Sequence, residues 1–310
     1  MPHSTALLAA CWLSAGDSVP FRGTPKSPID IRTRIEAVAR AGYVGFGVTR
    51  MDIITARDTV GLPAVATMLS DNGIDTVQLE WISDWWTSGS LRQRSDEVRR
   101  DLLEAAEALH ADNIKVGADN TGEPAAYDQL CQGFHELAAD AADVGVKIGF
   151  ENTPFGHLPT TEEAIRFVRD VGHPNGGLVL DIWHTQRGGT PYETLPQLLD
   201  VSQLVGVELD DGHRSAQGGD LEDTFDNRLL CGRGVFAVPR FIRAVQQIGW
   251  TGPWGIEHMS TTSRTQPIDQ VLADARDAAL ACLAQADNAH PGDATEAAVS
   301  GRRGPDRDDP

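Results

Sequence analysis

From residue 5 to residue 286, short apolar runs alternate with longer stretches in which apolar residues recur at helical spacing. The short runs predict strands at 5–13, 43–49, 75–80, 113–117, 146–151, 177–181, 204–209 and 253–257. The longer stretches predict helices over 30–41, 59–72, 91–110, 123–144, 161–171, 191–200, 237–248 and 266–286. Start and stop signals agree: Thr160-Thr161-Glu162-Glu163 puts acids in a first helical turn, and Ala41-Gly42 and Ile248-Gly249 end two helices. Eight strand-then-helix units predict a parallel sheet closed on itself, the (β/α)8 TIM barrel of the α/β class. A doubly wound open sheet is the competing arrangement, but no GxGxxG opens the first helix. The expected organisation is one catalytic domain, 1–286, followed by a disordered tail over 287–310, which is rich in Pro, Gly, Ala and charge without an apolar period.

Charge narrows the partners. Among 310 residues the formal net charge is −19, which repels polyanions and argues against nucleic acid. No apolar run approaches the roughly 20 residues of a membrane-spanning helix. Thr5 to Leu13, "TALLAACWL", lacks the basic flank of a signal peptide and reads as the first strand. Cys11, Cys131, Cys231 and Cys282 are widely spaced, without CxxC, so reduced thiols and a cytoplasmic location are expected.

A barrel of this kind does its chemistry at the C-terminal ends of its strands. Strand five ends in Glu151, strand six in "GLVLDIWHT" with Asp181 and His184, strand seven in "VGVELDDGHR" with Glu208, and strand eight in "GPWGIEHMS" with Glu257. One acid at a strand end is more often a cap or a loop salt bridge than a ligand. Four on successive strands repel one another unless a cation neutralises them, and hard oxygen donors suit Mn²⁺ or Mg²⁺. After strand three, "EWISDWW" sets Glu80 and three tryptophans on the same rim. Trp85 and its neighbours either pack a loop onto the barrel or wall a sugar ring, and Glu80 is a candidate substrate contact. Residues 213–234 form a long Gly- and Asp-rich connection, the expected lid, in which Arg228 and Arg233, with His258 beyond it, would reach a phosphorylated substrate.

These motifs resemble the sugar isomerase and epimerase family with a xylose-isomerase-like barrel, which includes ketose 3-epimerases, hydroxypyruvate isomerases and inosose dehydratases. The resemblance covers roughly residues 5 to 286. It rests on "GFENTP", on Asp181 and His184 in "LDIWH", and on "CGRGVFAVPRFIRAVQQIGWTG" leading to Glu257. It implies a divalent metal held by Glu151, Asp181, Glu208 and Glu257, with Glu208 standing where relatives carry His or Gln. It also implies Glu151 and Glu257 as an acid/base pair working through an enediolate, and His184 and Arg214 as contacts to substrate oxygens. His157 stands where epimerases place a second substrate-binding Glu, Ala237 replaces a frequent Asp, and Arg50 or Asp52 follows strand two where relatives end in Glu. These departures weaken an epimerase assignment and keep a dehydratase or a non-catalytic sugar-binding barrel as alternatives. The implied substrate is a small carbohydrate or polyol derivative, and the dimers and tetramers common in the family make a homo-oligomer an expectation.

Overall fold

Eight parallel strands close into a barrel in the order β1 to β8, with β1 paired to β8. The computed structural model describes residues 4–20, 22, 25–118 and 125–288. The strands are β1 (Leu7–Ala9), β2 (Gly45–Thr49), β3 (Thr76–Ile82), β4 (Asn113–Val116), β5 (Lys147–Phe150), β6 (Gly176–Asp181), β7 (Leu204–Leu209) and β8 (Trp254–Ile256). Almost every strand residue is buried, because helices cover the outer face and side chains fill the inner one. That two-sided burial explains why the strands are continuous apolar runs rather than alternating ones.

The helices are α1 (Ile31–Arg40), α2 (Arg50–Thr59), α3 (Leu62–Asp71), α4 (Gly89–Leu109), α5 (Tyr127–Asp143), α6 (Thr161–Val171), α7 (Ile182–Arg187), α8 (Leu195–Leu198), α9 (Asp220–Asp226), α10 (Val238–Ile248), α11 (Thr261–Arg264) and α12 (Ile268–Asn288). A capping box starts α6: the Thr160 hydroxyl accepts from the Glu163 N–H, while the Glu163 carboxylate accepts from the Thr160 N–H. Gly249 ends α10 at φ 101°, a conformation in which a Cβ would be strained.

Three local differences have physical causes. The expected helix 191–200 is a 3-10 turn at Tyr192–Thr194 followed by α8, because Pro196 inside a longer helix would clash with the carbonyl of Tyr192. The first apolar run leaves the sheet after Ala9 and winds into a 3-10 turn at Cys11–Leu13. α2 follows β2 without a loop, started by the Thr49 hydroxyl, which accepts from the Asp52 N–H. α12 continues through Asn288, so the first two residues of the tail expected over 287–310 are helical, and the rest, 289–310, lies outside the described residues.

α2 also turns Asp52 away from the rim. Its carboxylate accepts from Arg34 at 2.5 Å, and that guanidinium, wholly buried, also donates to Ser14 Oγ at 3.2 Å and to the Cys11 carbonyl at 3.0 Å. Asp52→Ala would leave the buried guanidinium without its anion. The expected cost is about 3–5 kcal/mol, read as a lower urea midpoint at unchanged m.

No helix among the described residues is long and apolar enough to cross a membrane.

Candidate active site

At the C-terminal rim the barrel register brings the acids together. Asp181 pairs with Glu208 across β6 and β7, Glu208 with Gly255 across β7 and β8, and Glu80 with Lys115 across β3 and β4. Lys115 is 1% exposed, and its Nζ stands among four glutamates. The distances are 2.7 Å to Glu257, 3.0 Å to both oxygens of Glu208, 3.4 Å to Glu80 and 3.6 Å to Glu151. Burial works against the ammonium, but Glu151, Glu208, Glu257 and Glu80 outweigh it and hold its pKa well above the ordinary lysine value. Burial in turn raises the carboxyls: Glu80 upward, Glu208 to about 8, and Glu151 well above the usual range despite Lys115.

A second cation closes the other side. Arg228 Nη1 donates to Asp181 at 2.8 Å and to Asp210 at 2.5 Å, and lies 3.2 Å from Glu257 Oε2. Its Nε and Nη2 donate to the carbonyl and hydroxyl of Thr224, each at 3.0 Å, and the guanidinium lies 5.2 Å from the centre of the Trp183 ring. The connection that carries it is anchored: Asp211 and Leu229 exchange backbone hydrogen bonds, and the Asp211 carboxylate accepts from the N–H groups of Gly212, Gly234 and Phe236. Part of the expected lid is thus built into the wall.

The site adjoins a cavity of about 460 Å³ whose lining does not include Lys115, Asp181, Glu208 or Asp210. Glu80, Glu151, His184, Arg228 and Glu257 supply its polar lining. Trp12, Trp81, Phe155, Phe225, Met51 and Met259 supply much of the rest, and Arg22 and Arg50 also line it. Arg22 pairs with Asp226 at 2.8 Å and Arg50 with Asp101 at 2.6 Å.

The tryptophans divide their work. Trp81 lies against Gly117, where an added Cβ would come within 2.0 Å of the indole. Trp85, the residue expected at the wall, is instead packed in the core against Trp86, Phe134 and Phe167, with its Nε1 donating to the Gly117 carbonyl at 2.9 Å. Gly117→Ala is expected to push Trp81 out of place at about 1–3 kcal/mol, visible as a changed tryptophan emission maximum in a folded protein.

Other expected contacts fall elsewhere. His157 lies edge-on to Trp86, with ring centres 5.4 Å apart, and is not among the cavity's lining residues. Arg214 is exposed and is likewise absent from the lining. His184 lines the cavity, and burial, aided by Arg228, keeps its pKa well below the ordinary value, so the imidazole is neutral.

Ligand atoms of Glu151, Asp181, His184 and Glu257 lie within 4.8 Å of one another, so this buried group could hold a metal ion. Its chemistry fits a divalent cation: three carboxylates and a neutral imidazole, with Glu151 Oε1 and His184 Nδ1 lacking hydrogen-bond partners among the described residues. Glu208, expected as a ligand, is not in this group, and Lys115 donates to both of its oxygens. Lys115 was readable as a signal, being a charged residue inside the apolar run "NIKV". Its partners were not, because they come from other strands.

The family model of the xylose isomerase-like TIM barrel matches residues 35–281. A 3-dehydroshikimate dehydratase of Pseudomonas aeruginosa is 28% identical over 250 residues, 76% of this chain and 37% of that protein. One of the same name from Pseudomonas putida is 26% identical over 251 residues, 78% of this chain and 38% of its own length. The chain therefore spans little more than a third of these curated relatives. Among solved structures, IolI with a bound zinc atom superposes with a TM-score of 0.74 at 16% identity, covering 90% of this chain and 98% of that one. D-psicose 3-epimerase in the presence of D-fructose superposes at 0.63 and 19% identity, covering 82% and 92%. At these identities the structural likeness concerns the fold.

Proposed function

The chain belongs to the xylose isomerase-like TIM-barrel family, which contains epimerases, isomerases and dehydratases, and from that premise we propose that it removes a proton α to a carbonyl of a small hydroxy-carbonyl substrate, with Glu151 as the base. The observation that carries this reading is the state of Glu151: it lines the cavity, one of its oxygens has no hydrogen-bond partner among the described residues, and burial raises its proton affinity. A carboxylate so placed can accept a proton at neutral pH and keep it.

Glu257 lines the same cavity, but Lys115 holds one of its oxygens and Arg228 stands beside the other. One free carboxylate beside one held between two cations suits elimination, in which Glu151 can hand the proton it takes from the α-carbon to the β-hydroxyl, which departs as water as the carbon–carbon double bond forms. Epimerisation needs two carboxylates able to exchange protons with opposite faces of one carbon. The reading is therefore a lyase of the dehydratase type, and the name of the curated relatives supports it. The largely aromatic and thioether wall supports a substrate with one apolar face, such as a ring with few hydroxyls. Sugar isomerisation is the second reading, favoured by the epimerase neighbours and by the presence of Glu257 on the cavity wall.

Glu151, Asp181, His184 and Glu257 would hold the divalent ion, with Mn²⁺ or Mg²⁺ suited to the oxygen-rich set. When bound it would supply Lewis acidity to the substrate oxygens. The protein's own residues bind, orient and exclude water: Trp81, Phe155 and Phe225 dry the cavity, while the neutral His184 ring keeps a lone pair for the ion.

The test is incubation of the Mn²⁺-loaded protein in D₂O with a panel of cyclic hydroxy-ketones and ketoses, read by proton NMR and product mass. A product lighter by one water supports elimination, and deuterium uptake at unchanged skeleton mass supports isomerisation. Absence of both across the panel would count against proton abstraction and favour the binding-protein alternative.

A further inference from the structure

Lys115 answers the question that four converging glutamates raise. Burying anions together requires a cation, and the usual solution in such a barrel is a metal ion. Here the cation on the inner side of the site is part of the chain. An ammonium has three N–H donors, and among the described residues Lys115 donates to Glu208 Oε1, Glu208 Oε2 and Glu257 Oε1. Glu80 and Glu151 complete the shell at 3.4 and 3.6 Å.

The arrangement bears directly on the metal group. Of its four members, Glu257 has one oxygen bonded to Lys115 and the other 3.2 Å from Arg228, while Asp181 Oδ2 accepts from Arg228 at 2.8 Å and Asp181 Oδ1 from the Trp183 N–H at 2.5 Å. Glu151 Oε1 and His184 Nδ1 have no such partners among the described residues. A divalent ion entering here meets two fixed positive charges and must take oxygens already engaged by them.

We infer that Lys115 is a built-in cation that substitutes for a divalent ion on the inner face of the site and competes with one for Glu257 and Glu151. The barrel then folds and keeps its glutamates neutralised without metal, and any ion binds against the ammonium. This inference rests on the four-residue group as the place of a metal and is independent of the reaction proposed above.

The test uses full-length protein stripped with chelator. Wild type, Lys115→Met and Lys115→Arg are titrated with MnCl₂ by calorimetry and melted with and without Mn²⁺. Methionine matches the lysine stem without its charge. Lys115→Met is expected to bind Mn²⁺ at least about tenfold tighter than wild type, to melt lower than wild type in chelator, and to regain stability with Mn²⁺. Wild type is expected to melt at nearly the same temperature in both conditions, and Lys115→Arg to bind Mn²⁺ no tighter than wild type. Equal or weaker binding by Lys115→Met overturns the inference, as does a large loss of wild-type stability on chelation. Tighter binding by Lys115→Arg as well, with the positive charge kept, would show that loss of charge is not the source of the gain and overturn it too. A Lys115→Met protein that folds neither with nor without Mn²⁺ would mean that a divalent ion cannot stand in for the ammonium, which also refutes it. All these readouts are independent of turnover, so their failure leaves the proton-abstraction reading to its own assay.

Discussion

Glu151→Gln is expected to lower solvent-proton exchange and turnover by about 10²- to 10⁴-fold, the usual contribution of a positioned general base, while the protein stays folded. Glutamine keeps the shape of the side chain and the strand geometry, in which the Glu151 N–H donates to the Val116 carbonyl at 2.9 Å. It removes one of several buried negative charges whose mutual repulsion the site must offset. Burial raises the Glu151 carboxyl well above its ordinary range, and Glu208, Glu257 and Asp181 raise it further. By linkage, such a group stabilises the fold below the ordinary carboxylate pKa, and that contribution is lost as pH rises toward the lifted value. The glutamine variant is therefore expected to be at least as stable as wild type at neutral pH and to lose less stability as pH rises above about 4. The check pairs a kinetic trace in D₂O with urea titrations of both proteins at several pH values. A variant that is inactive because it is unfolded would refute the assignment, as would one that is folded and fully active.

The residues differ in how far the sequence alone reveals them, and the difference is physical. Strands buried on both faces must be continuous apolar runs, so all eight were readable, with the largest error where the chain leaves the sheet early, at Cys11–Leu13. Acids that end such runs stand out because burial punishes them, which made Glu151, Asp181, Glu208 and Glu257 visible. What neutralises each acid was not visible, because that depends on barrel closure. Lys115 meets Glu208 across 93 residues of sequence and Glu257 across 142. "EWISDWW" likewise cannot say which indole turns inward. The deciding residue is Gly117 on the neighbouring strand's end, whose missing side chain leaves room for Trp81 while Trp85 packs on Phe134 and Phe167. The helix α2 went unread because its start depends on a single Thr49 cap directly after β2.

Arg228→Leu is expected to cost about 3–5 kcal/mol, the range for removing one partner of a buried charge group. Three acids would lose their guanidinium at once: Asp181 at 2.8 Å, Asp210 at 2.5 Å and Glu257 at 3.2 Å. Arg228→Lys is expected to fall between, since an ammonium keeps the charge but cannot hold this planar set of contacts and the two Thr224 bonds together. The pH dependence separates lost charge from lost packing. Burial raises the Asp210 carboxyl well above its ordinary range even with Arg228 beside it, and without the guanidinium its proton affinity must rise further. An acid whose folded pKa is raised loses stabilising effect as pH rises from its unfolded value. The penalty of Arg228→Leu is therefore expected to be smallest in acid, where Asp210 is protonated in both proteins, and to grow only as pH rises through the lifted wild-type pKa of Asp210. Urea midpoints of wild type, Arg228→Leu and Arg228→Lys across that range supply the comparison. A penalty independent of pH would mean that the guanidinium stabilises this wall through its packing on Trp183 and its Thr224 bonds rather than by neutralising the acids.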